Sequence, residues 1–250
     1  MDGGMFWVAA VIAAALVGAG KGGVPVLGML GVPVLALVIP PGMAAGLLLP
    51  VFVVSDMFGL WAYRHSFDGR VLAIALPGAV AGIGIGWATA SLVSQAAVTL
   101  LIGVIGLAFA LNLVLRRRVV AGRRQARVGP GLFWGTVAGF TSFVRHAGAP
   151  PWQVFTLPLG MPRAVFAGTS TIAFAVINAV KLLPYWQLGL LSPANLKLAA
   201  VLALPAALAV FAGVRLVKWL PERLFYRLVT WTLLVISVKL IWDGGRGLWG

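Results

Sequence analysis

Two interruptions hold most of the chemistry this chain can offer. The first is Gly18-Ala19-Gly20-Lys21-Gly22-Gly23-Val24-Pro25. The second is Gly139-Phe140-Thr141-Ser142-Phe143-Val144-Arg145-His146-Ala147-Gly148-Ala149-Pro150-Pro151. Each sets glycine, proline and a cation inside apolar sequence. An unsatisfied peptide group in lipid is costly, so such breaks persist only where protein buries them or a watery cavity meets them. A helix restarting after Gly23 or Gly148 would aim free N–H groups and a positive dipole end at one point, which suits an anion. Glycine admits a close backbone approach, and proline in a first helical turn gives up no needed donor. Gly22, Gly23 and Gly148 are therefore candidate substrate-binding backbone. Lys21 and Arg145 stand beside the breaks, each either meeting the anion or snorkelling to headgroups. The fork of Arg145 suits two oxygens at once, so Arg145→Ala is expected to abolish binding without unfolding the chain.

Downstream lies a polar stripe. Thr171, Asn178 and Lys181 are spaced by seven and three, which puts them on one helical face. Thr169 and Ser170 extend it, although intramembrane hydroxyls also bond back to their own helix. Lys181 either serves the site or snorkels from an outer helix end. Asp56, the acid inside an expected span, carries a coupling proton in one reading and pairs with a lysine or arginine in the other. His146 either senses pH and donates to substrate, since imidazole titrates near neutrality, or is a hydrogen-bonded structural residue. Gln153 and Trp152 follow the second break, where Gln153 is expected to line the pocket and Trp152 to pack. Ser142 completes the candidate substrate-binding set.

These residues sit in a membrane protein by composition. The chain is 61% hydrophobic and 10% charged, with a mean hydropathy of +1.04. A soluble domain has about 45–50% apolar and about 25% charged residues. No cysteine is present, which removes disulfides and thiolate metal sites, and two histidines, His65 and His146, make an imidazole metal centre improbable. No cofactor is expected. The net charge of +14 is concentrated at Arg116-Arg117-Arg118, Arg123, Arg124 and Arg127 between apolar spans. That placement reads as a cytoplasmic loop against anionic headgroups, with no nucleic-acid partner. The N-terminus lacks the basic stretch of a cleavable signal peptide.

The expected fold is an all-α polytopic membrane protein of ten segments. They run at about 5–20, 24–39, 42–63, 71–92 and 95–115, then about 131–144, 150–160, 163–184, 194–214 and 223–242. The first two segments of each half are short or re-entrant. The chain divides into a first transmembrane repeat (1–115), a basic linker (116–130) and a second repeat (131–250). With the linker inside, Arg64, His65, Arg70, Arg163, Arg215, Lys218, Arg223 and Arg227 also fall inside. The uncharged loop Tyr185 to Ser192 and both termini fall outside, in a bacterial-type cytoplasmic (inner) membrane. Trp7, Trp61, Tyr63, Tyr185, Trp186, Trp219, Tyr226 and Trp242 lie near segment ends, as interfacial anchors do.

The halves align in order. Gly23-Val24-Pro25 matches Gly148-Ala149-Pro150, Pro40 and Gly46 match Pro162 and Gly168, and Asp56 matches Asn178. Tyr63 matches Tyr185, and Ala75-Leu76-Pro77 matches Ala203-Leu204-Pro205. An odd number of spans per half makes the copies inverted, a recurrent design of secondary transporters.

Gly139-Phe140-Thr141-Ser142, then His146-Ala147-Gly148-Ala149-Pro150-Pro151, then Phe166-Ala167-Gly168-Thr169-Ser170-Thr171 resemble the second repeat of the TauE/SafE sulfite-exporter family, also called the 4-toluene sulfonate uptake permease family. Gly22-Gly23-Val24-Pro25 is similar to its first-repeat counterpart. The chain departs from the pattern at Gly46-Leu47-Leu48, which lacks hydroxyls, and at Ala149, where a third glycine is common. The resemblance implies a permease for sulfite, sulfonates or related organosulfur anions, working by alternating access around a midplane site, and not an enzyme. No P-loop motif is present, so the driving force would be an ion gradient or the solute's own. The expected partners are a small anionic solute and the lipid bilayer, and the sequence allows a homodimer. Two other readings remain: a membrane-embedded enzyme acting on lipid through Asp56, His65 and His146, and an assembly factor that transports nothing. The transport reading requires the two interruptions to meet near mid-bilayer around an anion.

Overall fold

A computed structural model describes residues 3–115, 124–191 and 193–249, apart from the side chains of Val26, Ala194 and Trp249. The run Arg116-Arg117-Arg118 with Arg123, expected in the cytoplasm, lies outside the described residues, as does Ser192 at the end of the uncharged loop. The described residues are helical and contain no strand. In order they form α1 (Gly4–Lys21), α2 (Pro25–Gly28), α3 (Gly31–Leu35), α4 (Pro41–Tyr63), α5 (Gly69–Ala88) and α6 (Gln95–Leu115). After the linker come α7 (Val128–Arg145), α8 (Ala149–Thr156), a 3-10 turn at Leu157–Leu159, α9 (Arg163–Gln187), α10 (Pro193–Trp219) and α11 (Glu222–Trp249).

Among the described residues, seven helices are long and apolar enough to cross a membrane: α1, α4, α5, α6, α9, α10 and α11. The chain is an integral membrane protein. All ten expected segments appear as helix, but the second of each half is fragmentary. It is α2 and α3 in the first half and the eight-residue α8 in the second. Eight residues rise about 12 Å, far less than a hydrocarbon core of about 30 Å. The first segment agrees with the expected 5–20 to within one residue at each end, α1 running Gly4–Lys21 through Gly18 and Gly20. Four prolines sit inside long helices: Pro50 in α4, Pro77 in α5, Pro184 in α9 and Pro205 in α10. Membrane helices accept them where neighbouring groups satisfy the freed carbonyls. Asp68 caps α5 through its side chain, accepting from Arg70 N at 3.0 Å and Val71 N at 3.1 Å.

The chain forms two compact units that do not follow the division at the linker. One comprises Met1–Phe67 with Ala167–Trp219, and the other Asp68–Phe166 with Leu220–Gly250. Each draws helices from both halves of the sequence.

In the first unit, α1 packs on α10, α4 packs on both, and α3 covers α1 and α4. Small residues allow this. Ala10, Ala13, Ala14 and Val17 of α1 join Leu47, Leu48 and Val51 of α4 and Leu202 and Ala206 of α10 in one core. Without a hydrophobic drive between helices in lipid, close approach over small residues supplies the attraction. At Gly18 a methyl group would strike the carbonyl of Ala206, and at Gly22 the backbone of Gly213.

In the second unit, α5 packs on α7 and α6 on α11, with α8 against α7 and α6. The α5–α7 contact is reciprocal. Gly78 and Gly82 face the carbonyls of Leu132 and Thr136, while Gly135 and Gly139 face those of Ala75 and Ala79. Phe166, Phe225 and Tyr226 stack edge to face, and the Tyr226 hydroxyl donates to Met161 O.

The aromatic expectation divides by residue type. Trp61, Trp186, Trp219 and Trp242 are exposed, as anchors must be, whereas Tyr63, Tyr185 and Tyr226 are buried. Tyr63 and Tyr226 donate to backbone carbonyls inside the protein, which takes their hydroxyls away from the interface.

Candidate functional site

In the first unit the interruption is narrower than the sequence pattern implies. Helix α1 continues through Gly20 to Lys21, and Gly22 N still bonds to Gly18 O at 2.8 Å. The turn is made by Gly23, whose φ of 125° excludes side-chain-bearing residues without strain. The last carbonyls of a helix lack intrahelical partners, and here two side chains supply them. Thr171 Oγ1 of α9 donates to Lys21 O at 3.0 Å, and Tyr63 OH of α4 donates to Gly22 O at 2.6 Å. Gly59 of α4 makes room, since a side chain there would strike the Thr171 methyl. The helix that follows, α2, is a single turn of four residues and carries no macrodipole of consequence.

Helices α4 and α9 therefore converge on the end of α1, and polar side chains of all three meet there. Lys21 Nζ lies 2.6 Å from Asp56 Oδ1, with both side chains buried. Asn178 Nδ2 donates to Asp56 Oδ2 at 2.8 Å. The Lys21 ammonium also stands over the rings of Phe52 and Phe174, 5.4 and 5.7 Å from their centroids. Lys181 is fully buried and near enough to Lys21 and Asp56 to interact with both charges. Burial of Lys21 and Lys181 removes the snorkelling alternative for each. Of the two readings of Asp56, the ion pair with lysine is formed.

Thr171, Phe174, Asn178 and Lys181 thus occupy one face of α9, as their spacing requires. Thr169 and Ser170, immediately before Thr171, are fully buried. The cluster brings two lysines and one aspartate together, all three buried.

The second unit contains the other candidates. Helix α7 runs through Gly139 and ends at Arg145, and His146 takes the left-handed conformation, φ 53°. His146 N bonds to Ser142 O at 3.0 Å and Ala147 N to Thr141 O at 3.2 Å, closing the helix end. Ser142 and His146 are buried. Arg145 is half-buried, and its guanidinium donates to Gln95 Oε1 at 3.1 Å. Gly148 precedes α8, but this helix start offers few donors. Pro150 and Pro151 have no N–H, and Trp152 N is taken by Gly148 O at 3.2 Å. Trp152 packs edge to face on Phe155. Gln153 is fully buried, with neither amide atom paired among the described residues.

Sequence reasoning underweighted three participants. Lys21 was set beside the site rather than in it. Tyr63 reads as an anchor by position, and only its three-dimensional reach to Gly22 reveals its role. Ser237 of α11 is fully buried with no partner for its hydroxyl among the described residues, and no spacing signal sets it apart from Thr230 and Thr232 of the same helix.

A family model described as sulfite exporter TauE/SafE matches residues 5–240. No curated protein and no solved structure matches the chain.

Proposed function

The chain belongs to the sulfite exporter TauE/SafE family of membrane transporters, and on that premise we propose that it is a secondary transporter for small sulfur-containing anions such as sulfite or sulfonates. The observation that carries this reading is the buried grouping of Lys21, Lys181 and Asp56, braced by Asn178. In this account Lys181 and Lys21 attract the solute, and Asp56 holds Lys21 in place and offers a carboxylate for a coupling proton. Thr169 and Ser170 supply hydroxyl donors. Gly22, Gly23 and Thr171 shape the end of α1, the Thr171 proton being committed to Lys21 O. Ser142, Arg145, His146, Gly148 and Gln153 of the second unit are further proposed substrate-binding residues.

Transport proceeds by alternating access, the site opening first to one side of the membrane and then to the other. A likeness between the two halves, which we read as an inverted repeat, supports this. Each half begins with an 18-residue helix ending in a cation, Lys21 or Arg145. Each then makes a turn through positive φ, at Gly23 or His146, and enters a short helix. The excess of lysine and arginine in alternate loops supports a cytoplasmic linker and external termini in a cytoplasmic membrane.

Uptake of sulfite into proteoliposomes tests the reading. The wild type should concentrate sulfite when an ion gradient is imposed, and Lys181→Met should not. Absence of uptake and of binding in the wild type, across sulfite and simple sulfonates, would overturn it.

A further inference from the structure

The first unit presents cations on its surface with no acid to meet them. Apart from Asp2, which lies outside the described residues, its acid is Asp56, buried against Lys21. Arg64, at the end of α4, and Arg215, near the end of α10, are both exposed. Gly22 brings these two helix ends to the same side. Its carbonyl accepts from the Tyr63 hydroxyl, and a methyl group on it would strike Gly213. Aromatic rings join the arginines. The Arg64 guanidinium lies 5.0 Å from the centroid of the Trp61 ring. Its Nη1 donates to Trp61 O at 2.7 Å and its Nε to His65 Nε2 at 3.1 Å, which hold it there. Trp61 meets Phe211 of α10 edge to face, with 6.3 Å between centroids. Arg215 follows Phe211 by one turn on the same face, its guanidinium 5.6 Å from the Trp219 ring. It has no hydrogen-bond or ion-pair partner among the described residues. Exposed apolar side chains extend the patch away from the arginines, with Met57 one turn before Trp61 and Leu208 and Leu204 on the Phe211 face of α10.

We propose that this patch is a binding site for an anionic phospholipid, its phosphate held by Arg64 and Arg215 and its acyl chains laid along Met57, Leu208 and Leu204. Charge complementarity selects the occupant. A guanidinium grips phosphate through a planar pair of N–H groups, and Arg215 has its whole fork to offer while Arg64 keeps its Nη2. The exposed rings of Trp61 and Trp219 suit the headgroup level, where an apolar body with a polar N–H is at home. Basic pockets between membrane helices on the cytoplasmic side take anionic headgroups, and the orientation proposed above puts these helix ends there. A soluble anion would gain nothing from Met57 and Leu208, whereas an acyl chain covers them. The site goes beyond the transport reading and does not depend on which solute is carried.

The test is titration of dioleoyl phosphatidylglycerol and dioleoyl phosphatidylcholine into the purified full chain in detergent, read by native mass spectrometry. The wild type should bind the anionic lipid about tenfold tighter than the zwitterionic one. Arg64→Gln combined with Arg215→Gln should cut that ratio by about threefold or more, and Arg215→Gln alone should lower it if the double variant fails to fold. Arg246→Gln is the control, since Arg246 stacks on Trp242 in the other unit and its loss removes the same charge. It should leave the ratio unchanged. Equal affinities for the two lipids in the wild type would overturn the proposal. A preference that survives the double substitution, or that Arg246→Gln lowers as much, would overturn it too, because diffuse attraction to the net charge of +14 would then explain the binding. Displacement of the lipid by an equal concentration of glycerol 3-phosphate would overturn the lipid assignment in favour of a free phosphate ester. Sulfite binding tests the transport reading separately, and none of these results alters it.

Discussion

Lys21 at the end of α1 and Asp56 in the body of α4 form a buried ion pair with 2.6 Å between Nζ and Oδ1. The pair ties the interruption of α1 to a long membrane helix, and Asn178 of α9 fastens the other carboxylate oxygen. Removing one partner of such a pair strands the other charge. Asp56→Asn should destabilise the protein by about 3–5 kcal/mol. The double variant Lys21→Met with Asp56→Asn should lose less than the sum of the two single changes, because neither charge is then left alone. Thermal melts in detergent of the four species measure this, and strict additivity would refute the coupling.

The carbonyl of Gly22 depends on the hydroxyl of Tyr63. Tyr63→Phe keeps the ring and removes the donor, so it should cost about 1–3 kcal/mol, the penalty for an unsatisfied buried acceptor. An interfacial tyrosine would tolerate the same change without loss, and the melting temperature separates the two.

Two glycines in α5, two residues apart, should respond in opposite ways. A methyl group at Gly82 would strike the carbonyl of Thr136, whereas one at Gly84 meets nothing within 4 Å. Gly82→Ala should destabilise by about 1–3 kcal/mol through forced separation of α5 and α7. Gly84→Ala should be neutral or stabilising by up to about 1 kcal/mol, from helix propensity. Similar effects at both positions would contradict the packing described.

His146 holds a backbone conformation that glycine adopts freely, with φ at 53°. A residue kept there against its preference is a candidate for function rather than folding. His146→Gly should leave stability level or higher while lowering sulfite affinity. Unchanged affinity in a stable variant would make the imidazole structural.

Much of this architecture was legible in the chain. Runs of apolar residues punctuated by Gly, Pro and charge marked each of the seven helices long and apolar enough to cross a membrane, because the bilayer enforces both length and polarity. The face shared by Thr171, Asn178 and Lys181 followed from helical spacing alone. The extent of the interruptions was overestimated, because Gly18, Gly20 and Gly139 read as breakers. In the fold Gly18 and Gly139 are points of close helix approach inside continuous helix, which sequence spacing does not distinguish from a break. The pairing of Lys21 with Asp56 joins residues from separate helices, as does that of Tyr63 with Gly22. No local pattern encodes such contacts. The start of α8, expected to aim free N–H groups at an anion, is donor-poor instead, because Pro150 and Pro151 carry none and Trp152 N bonds to Gly148 O.

The measurement that bears most directly on the account is calorimetric titration of sulfite into purified wild type and Lys181→Met, each checked for an intact thermal transition. The account predicts saturable binding by the wild type and its loss in the folded Lys181→Met protein. Equal sulfite affinity in the two would show that the buried lysine cluster does not hold the anion.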